Sequence, residues 1–156
     1  MVAKHISAVV LILVGYSFCF GQHEVRSKED LLIQLNKDEK LLKDCEQKFT
    51  DEYVAKFGTK PMKVSLHCGP GCPVSLAKPR YPEQARKLRL RGEIVVEAIV
   101  DENGKVRAAK VLRGNRIFAT ESLTAIYSSE FRQIIACNDK AVVFRRTVRY
   151  DFFPNM

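Results

Sequence analysis

The first long pattern of apolar residues in the chain has the period of an α-helix. Between Ser27 and Phe57, apolar side chains recur every three to four residues, as they do along one face of a helix. Ser27 and Asp30 resemble a capping box at the start, and Gly58 and Pro61 end the run. The apolar face, which Asp38 interrupts, consists of Leu31, Leu35, Leu42, Cys45, Phe49 and Tyr53. We expect this helix to pack on its own domain; a coiled-coil dimer is the alternative.

A second pattern has the period of two that is typical of β-strands. Residues 93–100 alternate between positions that face opposite sides of a strand, and Asn103-Gly104 is the preferred pair for a tight hairpin turn. The apolar residues of the returning strand share one face only if an extra residue bulges at Arg107–Ala108. Those apolar residues are Val106, Ala109 and Val111. The sequence therefore predicts an antiparallel hairpin with a bulge in its second strand.

The last predicted strand, residues 141–153, has two chemically different faces. Val148, Tyr150 and Phe152 point to one side, where a core would bury them. The side chains that point to water are Arg145, Thr147, Arg149 and Asp151. We expect this strand to lie at the edge of its sheet, with unpaired main-chain groups.

Two further helices complete the predicted fold. Tyr81-Pro82 opens a short basic helix that closes before Gly92, and residues 118–130 have a second helical pattern. The order helix, strand, strand, helix, strand predicts an α+β domain, preceded by the long amphipathic helix. We expect a three-stranded antiparallel sheet with both short helices on one face.

The N-terminal segment indicates export. The apolar run Ile6–Phe20 has 15 residues, whereas crossing a bilayer takes about 20. We therefore predict a signal peptide over residues 1–21, with a short membrane anchor as the alternative. Lipidation at Cys19 is disfavoured by the bulky phenylalanine before it. The rest divides into an amphipathic helical segment (22–60), a Pro/Gly/Cys linker (61–76) and the α+β domain (77–156).

Export changes how the cysteines are interpreted. Cys45, Cys68, Cys72 and Cys137 would enter an oxidising compartment, where four thiols allow three disulfide pairings. Buried free thiols are one alternative, and zinc held by His67 with the neighbouring Cys68 and Cys72 is another. We expect disulfides and no metal.

Charge and candidate chemistry exclude two classes of function. The net charge of +8 suits nucleic acid, an anionic membrane or an acidic partner. Nucleic acid is disfavoured because the cations are not interleaved with aromatic residues on an outward strand face. We find no nucleophile–base set and no glycine-rich phosphate loop, and His23 and His67 lie outside the α+β domain. We therefore predict that the protein is not an enzyme and has no cofactor.

Residues 73–153 resemble the C-terminal domain of TonB, the periplasmic protein that passes inner-membrane energy to outer-membrane receptors. The family's motifs occur here in order and at similar spacing. They are Tyr81-Pro82-Glu83-Gln84-Ala85, Gly92 before the alternating strand, the turn from Asp101 to Val106, a helix ending near Phe131, and the final strand VVFRRTVRYDF.

The resemblance implies a protein partner in the periplasm of a Gram-negative cell, such as an outer-membrane receptor. An extended peptide would pair with the final strand by β-strand addition. The implied partner-binding residues are Lys78, Arg80, Tyr81, Arg145, Thr147, Arg149 and Asp151. The alternatives are a homodimer paired through the same edge and an envelope protein without energy transduction. The inner membrane is a partner only if residues 1–21 are retained.

The chain departs from the family pattern at several positions. Ser129 stands where many members have tryptophan, Gln133 where they have proline, and Asp139 where they have glycine. Lys78 replaces a peptide-contacting glutamine, so peptide specificity does not carry over. The family's energy transducers have a long anchor and a proline-rich spacer, whereas the apolar span here is short and the 27–57 helix would reach only about 45 Å.

Overall fold

A computed structural model describes residues 26–61 and 70–154. The predicted signal peptide, His67 and Cys68 lie outside these residues. The elements are α1 (Lys28–Phe57), β1 (Pro73–Ser75), α2 (Glu83–Lys87), β2 (Gly92–Val100), β3 (Val106–Gly114), a 3₁₀ turn (Arg116–Phe118), α3 (Ala119–Tyr127), β4 (Glu130–Phe131), β5 (Ile134–Ile135), β6 (Ala141–Val142) and β7 (Phe144–Phe152).

The main sheet is antiparallel, with the order β3-β2-β7. Alternate residues of β2 are fully buried on one face, as the period of two predicts, and on β7 Val148, Tyr150 and Phe152 are buried on the same face. The buried β2 residues are Ile94, Val96, Ala98 and Val100. The predicted fold class, an α+β domain built on a three-stranded antiparallel sheet, is confirmed.

The short helices cover this buried face. Ala85 of α2, Phe118 of the 3₁₀ turn and Ile126 of α3 belong to the same core as the apolar residues of β2 and β7. The Phe118 ring stacks on Phe152 with centroids 4.3 Å apart, and the Tyr81 ring meets both edge-on at 6.2 Å. These aromatic contacts hold the C-terminal end of β7 against the helical layer.

The predicted bulge in β3 is confirmed. Ile99 pairs with Ala108 and Val100 pairs with Val106, which leaves Arg107 as the extra residue. The hairpin turn before it requires glycine, because Gly104 has a φ of +81° and an added Cβ would overlap the Phe131 carbonyl oxygen.

Two predicted boundaries were wrong. The second helix ends at Tyr127 instead of residue 130, because Glu130–Phe131 form β4 and pair with β1. The final strand is split at Val143 into β6 and β7, because β6 turns away to pair with β5. Both changes arise from pairing with segments too short to show an apolar period.

The long helix α1 forms as predicted and lies on the opposite face of the sheet. Ser27 caps it, its hydroxyl oxygen accepting the Asp30 N–H at 3.1 Å. Leu31 and Leu35 are buried with Val143 in a second, smaller cluster that also contacts Ile99 and Ala108. Past Cys45 the helix projects from the domain, so Phe49, which is on the predicted apolar face, is 58% exposed.

Two of the departures from the family pattern have a local explanation. Ser129 is buried, and its hydroxyl donates to the Ala125 carbonyl at 2.9 Å and accepts the Ala77 N–H at 3.0 Å. It therefore ties the end of α3 to the start of the domain. Asp139 has a φ of +60°, the left-handed conformation that glycine adopts most easily and aspartate tolerates.

Candidate functional site at the outer edge of β7

The outer side of β7 is an open sheet edge. β7 pairs with β2 along its whole length, from Gly92↔Phe152 to Val100↔Phe144, without a register shift. No other strand within residues 26–61 and 70–154 pairs with β7. Within the described structure, the nine residues of β7 thus pair with a strand on one side, and their other side is open.

The hydrogen bonds of β3 show which residues of β7 face this edge. Successive residues of an antiparallel strand direct their N–H and C=O groups to alternate sides. The Ala109 N–H donates to the Tyr127 hydroxyl at 3.0 Å, away from β2. Ala98 of β2 pairs with Ala109, so its own N–H and C=O groups must point the other way, towards Arg146 of β7. Even-numbered residues of β7 therefore bond to β2.

Odd-numbered residues of β7 consequently direct their main-chain groups outward. The bond made just before β7 agrees, because the Val143 N–H points away from the sheet to the Asp38 carboxylate. The outward residues of β7 are Arg145, Thr147, Arg149 and Asp151. The four residues predicted from side-chain alternation are thus the four whose backbone groups face the edge.

The side chains of these residues lie on the exposed face of the sheet, and those of Arg145, Arg149 and Asp151 form ion pairs there. Arg145 contacts Glu39 of α1 at 2.9 Å and Glu97 of β2 at 3.5 Å. Arg149 contacts Asp151 at 3.4 Å and Glu93 at 3.9 Å. Such surface pairs contribute at most about 1 kcal/mol each, so breaking them costs little.

Of the other three predicted partner-binding residues, Tyr81 is the one that the described contacts place at the C-terminal end of β7. Lys78 and Arg80 are exposed. Tyr81 is half-buried, contacts the Phe152 ring and donates its hydroxyl to the Leu90 carbonyl. Tyr81 therefore packs beneath the C-terminal end of β7, and its own polar group is already bonded.

The other end of the edge is closed by α1 through the buried side chain of Asp38, which is 2% exposed. Its carboxylate accepts hydrogen bonds from the Val143 N–H at 2.9 Å, from Gln34 at 2.8 Å and from Lys140 at 3.3 Å. Burial by itself would raise the pKa of Asp38. The three hydrogen bonds outweigh it and lower the pKa below its usual value.

A disulfide fixes α1 to the same region. Cys45 and Cys137 are bonded, with Cα atoms 5.6 Å apart, and Cys137 lies in the turn between β5 and β6. Of the other two disulfide candidates, Cys72 is buried and Cys68 lies outside the described residues. Asp38 and Cys45 together hold α1 against the segment that leads into β7.

Asp38 was not among the residues predicted for the site. The sequence showed an acid on an apolar helix face, and we interpreted it as a weakness of that face. A buried acid requires hydrogen-bond partners, so its position in the pattern was itself a signal of a polar contact. The contacting backbone could not be identified from the sequence.

Two other features of the described residues bear on the site. Residues 26–61 and 70–154 contain no group of three or more histidine, cysteine, aspartate or glutamate side chains placed to hold a metal ion. None of the helices in that part of the chain is both long enough and apolar enough to cross a membrane.

Comparisons with known proteins identify the domain. Residues 77–152 match the family described as the Gram-negative bacterial TonB protein C-terminal domain. Among solved structures, the TonB C-terminal domain of Pseudomonas aeruginosa is 19% identical, covering 60% of this chain and 97% of that one, with a TM-score of 0.43. The TonB2 protein of Vibrio anguillarum is 23% identical, covering 64% and 97%, with a TM-score of 0.42. No curated protein matches. Residues 77–152 of this chain are therefore a domain of the TonB C-terminal family.

Proposed function

We propose that this protein is a periplasmic binding module that accepts an extended peptide at the outer edge of β7. The observation that carries the proposal is the row of outward main-chain groups on Arg145, Thr147, Arg149 and Asp151. A peptide in extended conformation would add a fourth strand to the sheet, and main-chain hydrogen bonds would supply the affinity. Membership in the TonB family supports an outer-membrane receptor as the source of the peptide.

The closed end of the edge limits where such a peptide can pair. Asp38 already accepts the Val143 N–H, and Glu39 already pairs with Arg145. Both acids come from α1, so a peptide that occupied these positions would have to displace the helix. Pairing would therefore be strongest beside Thr147, Arg149 and Asp151.

Binding without energy transduction is the second candidate, and one observation favours it. The first half of α1 packs on the sheet, and Cys45 is bonded to Cys137. This part of the chain is used for packing against the domain and does not serve as a free spacer between the domain and a membrane. We therefore propose binding as the activity, and an envelope-assembly role as its alternative use.

Titration with receptor plug-segment peptides tests the proposal. Thr147→Pro removes one outward N–H, and proline is tolerated at an edge position whose N–H faces solvent. Losing one main-chain hydrogen bond of about 1–1.5 kcal/mol should weaken binding about tenfold.

The matched control is Thr147→Ala, which changes the side chain and keeps the N–H. We expect the alanine variant to bind like the unmodified protein, with both variants showing cooperative thermal unfolding. No binding to the folded protein at millimolar peptide, or equal binding by the proline and alanine variants, would contradict strand addition.

A further inference from the structure

The second half of α1 carries an aromatic stripe that no other described part of the chain covers. We call residues 46–57 the arm. Phe49, Tyr53 and Phe57 follow each other at intervals of four residues, and their rings are in contact, with centroids 6.1 and 4.6 Å apart. Phe49 is 58% and Phe57 is 55% exposed, and none of the three belongs to a core cluster of the described residues.

The stripe continues the helix face that packs on the sheet. Eighteen residues make five full turns of an α-helix. Phe49 lies eighteen residues after Leu31, and Tyr53 lies eighteen after Leu35, so each ring points in the same direction as a buried leucine. The arm therefore presents a packing face beyond the end of its own domain.

We propose that the arm pairs with the arm of a second copy of this chain, antiparallel, around a two-fold axis near Tyr53. The stripe is symmetric about Tyr53, with one phenylalanine four residues before it and one four residues after it. Antiparallel pairing brings Phe49 of each copy against Phe57 of the other. A two-fold interface requires such a self-complementary surface.

The end of the helix fits this arrangement. In the antiparallel pair, Cys45 of one copy lies opposite residue 61 of the other, because both are eight residues from Tyr53. Gly58 ends α1 in a left-handed conformation, with φ of +70°, before that point is reached. Each helix thus stops before it would meet the region of Cys45 and Cys137 in the other copy.

The disulfide favours association, because it holds the arm in a fixed direction. Ordering a flexible segment on binding costs conformational entropy, and the disulfide has already ordered the arm within each chain. Two helices in contact over about three turns still bury less than the roughly 1,200–2,000 Å² of a stable interface. We therefore expect a weak dimer whose population rises between micromolar and millimolar protein.

Sedimentation equilibrium on the purified full chain tests the dimer. Phe49→Glu places two charges in a symmetric interface and should raise the dissociation constant by about a hundredfold or more. Both Phe49 and the control site Ala55 are exposed, so neither substitution disturbs the core. Ala55→Glu lies on the opposite side of the helix and should leave the dissociation constant unchanged.

Cysteine cross-linking tests the direction of pairing. A mixture of Phe49→Cys and Phe57→Cys chains should form mixed disulfide dimers in preference to dimers of either variant alone. A monomeric protein at millimolar concentration, equal effects of Phe49→Glu and Ala55→Glu, or preferential cross-linking of like variants would each overturn the proposal.

A fourth result would overturn the proposal and identify a different occupant of the stripe. If the chain is monomeric and Phe49→Glu weakens peptide binding where Ala55→Glu does not, the stripe serves the peptide partner instead of a second copy. The dimer does not depend on the edge of β7, so its failure would leave the proposed peptide site intact.

Discussion

Replacing Asp38 with alanine should destabilise the protein and release α1 from the start of β7. The Asp38 carboxylate accepts the buried Val143 N–H at 2.9 Å, and leaving a buried donor unpaired costs about 1–3 kcal/mol. The pair with Lys140, whose side chain is 49% exposed, adds less than about 1 kcal/mol. Together these losses predict a decrease of about 2–3 kcal/mol in the free energy of unfolding.

Urea unfolding measures this change. With a slope of about 2 kcal/mol per molar urea, the midpoint should fall by about 1–1.5 M. Asp44→Ala is the matched control, because Asp44 is an exposed acid on the same helix, and its midpoint should hardly change. Hydrogen exchange gives a local measurement, since the Val143 amide should lose its protection in Asp38→Ala and keep it in Asp44→Ala.

The pH dependence follows from the lowered pKa of Asp38. Because the folded-state pKa lies below the unfolded value of about 3.9, the ionised carboxylate stabilises the fold above that value. The contribution is lost as the pH falls through the folded-state pKa. The stability difference between the unmodified protein and Asp38→Ala should therefore be constant near neutral pH and shrink below about pH 4. Equal midpoints for the Asp38 and Asp44 variants, or a Val143 amide that stays protected, would refute this account of the contact.

Three further predictions concern single features. The double variant Cys45→Ser with Cys137→Ser should lose about 2–5 kcal/mol in the free energy of unfolding, because the disulfide joins residues 92 apart in sequence. Urea unfolding measures this loss, and an unchanged midpoint would exclude the disulfide. Gly104→Ala should lower the melting temperature by several degrees, because its φ is +81° and the added Cβ meets backbone; an unchanged melting temperature would contradict the turn geometry. Tyr81→Phe should lower the free energy of unfolding by about 1 kcal/mol, because it removes the bond to the Leu90 carbonyl; an unchanged urea midpoint would contradict that contact.

The sheet was predictable because its signal is local. The alternation in residues 93–100 and the Asn103-Gly104 turn fix one hairpin, and the mismatch of apolar positions after the turn predicts the bulge at Arg107. The two faces of β7 follow from the same alternation. Each of these features depends on residues close together in the sequence.

The features that were missed, such as the role of Asp38, or left open, such as the disulfide pairing, depend on contacts between distant residues. Asp38 and Val143 are 105 residues apart, and Cys45 and Cys137 are 92 apart. Four candidate cysteines allow three disulfide pairings, and the sequence does not distinguish between them. The helical pattern likewise shows that one face of α1 is apolar. It does not show that the sheet ends near Asp38 and leaves Phe49 exposed.

Amide hydrogen exchange along β7 tests the central claim most directly. In the free monomer, amides that bond to β2, such as those of Arg146, Val148 and Tyr150, should exchange slowly, while those of Thr147, Arg149 and Asp151 should exchange quickly. Saturating peptide should slow the second group and leave the first unchanged. If the outward amides are already protected in the free monomer, or still exchange quickly with peptide bound, the edge of β7 is not the binding site.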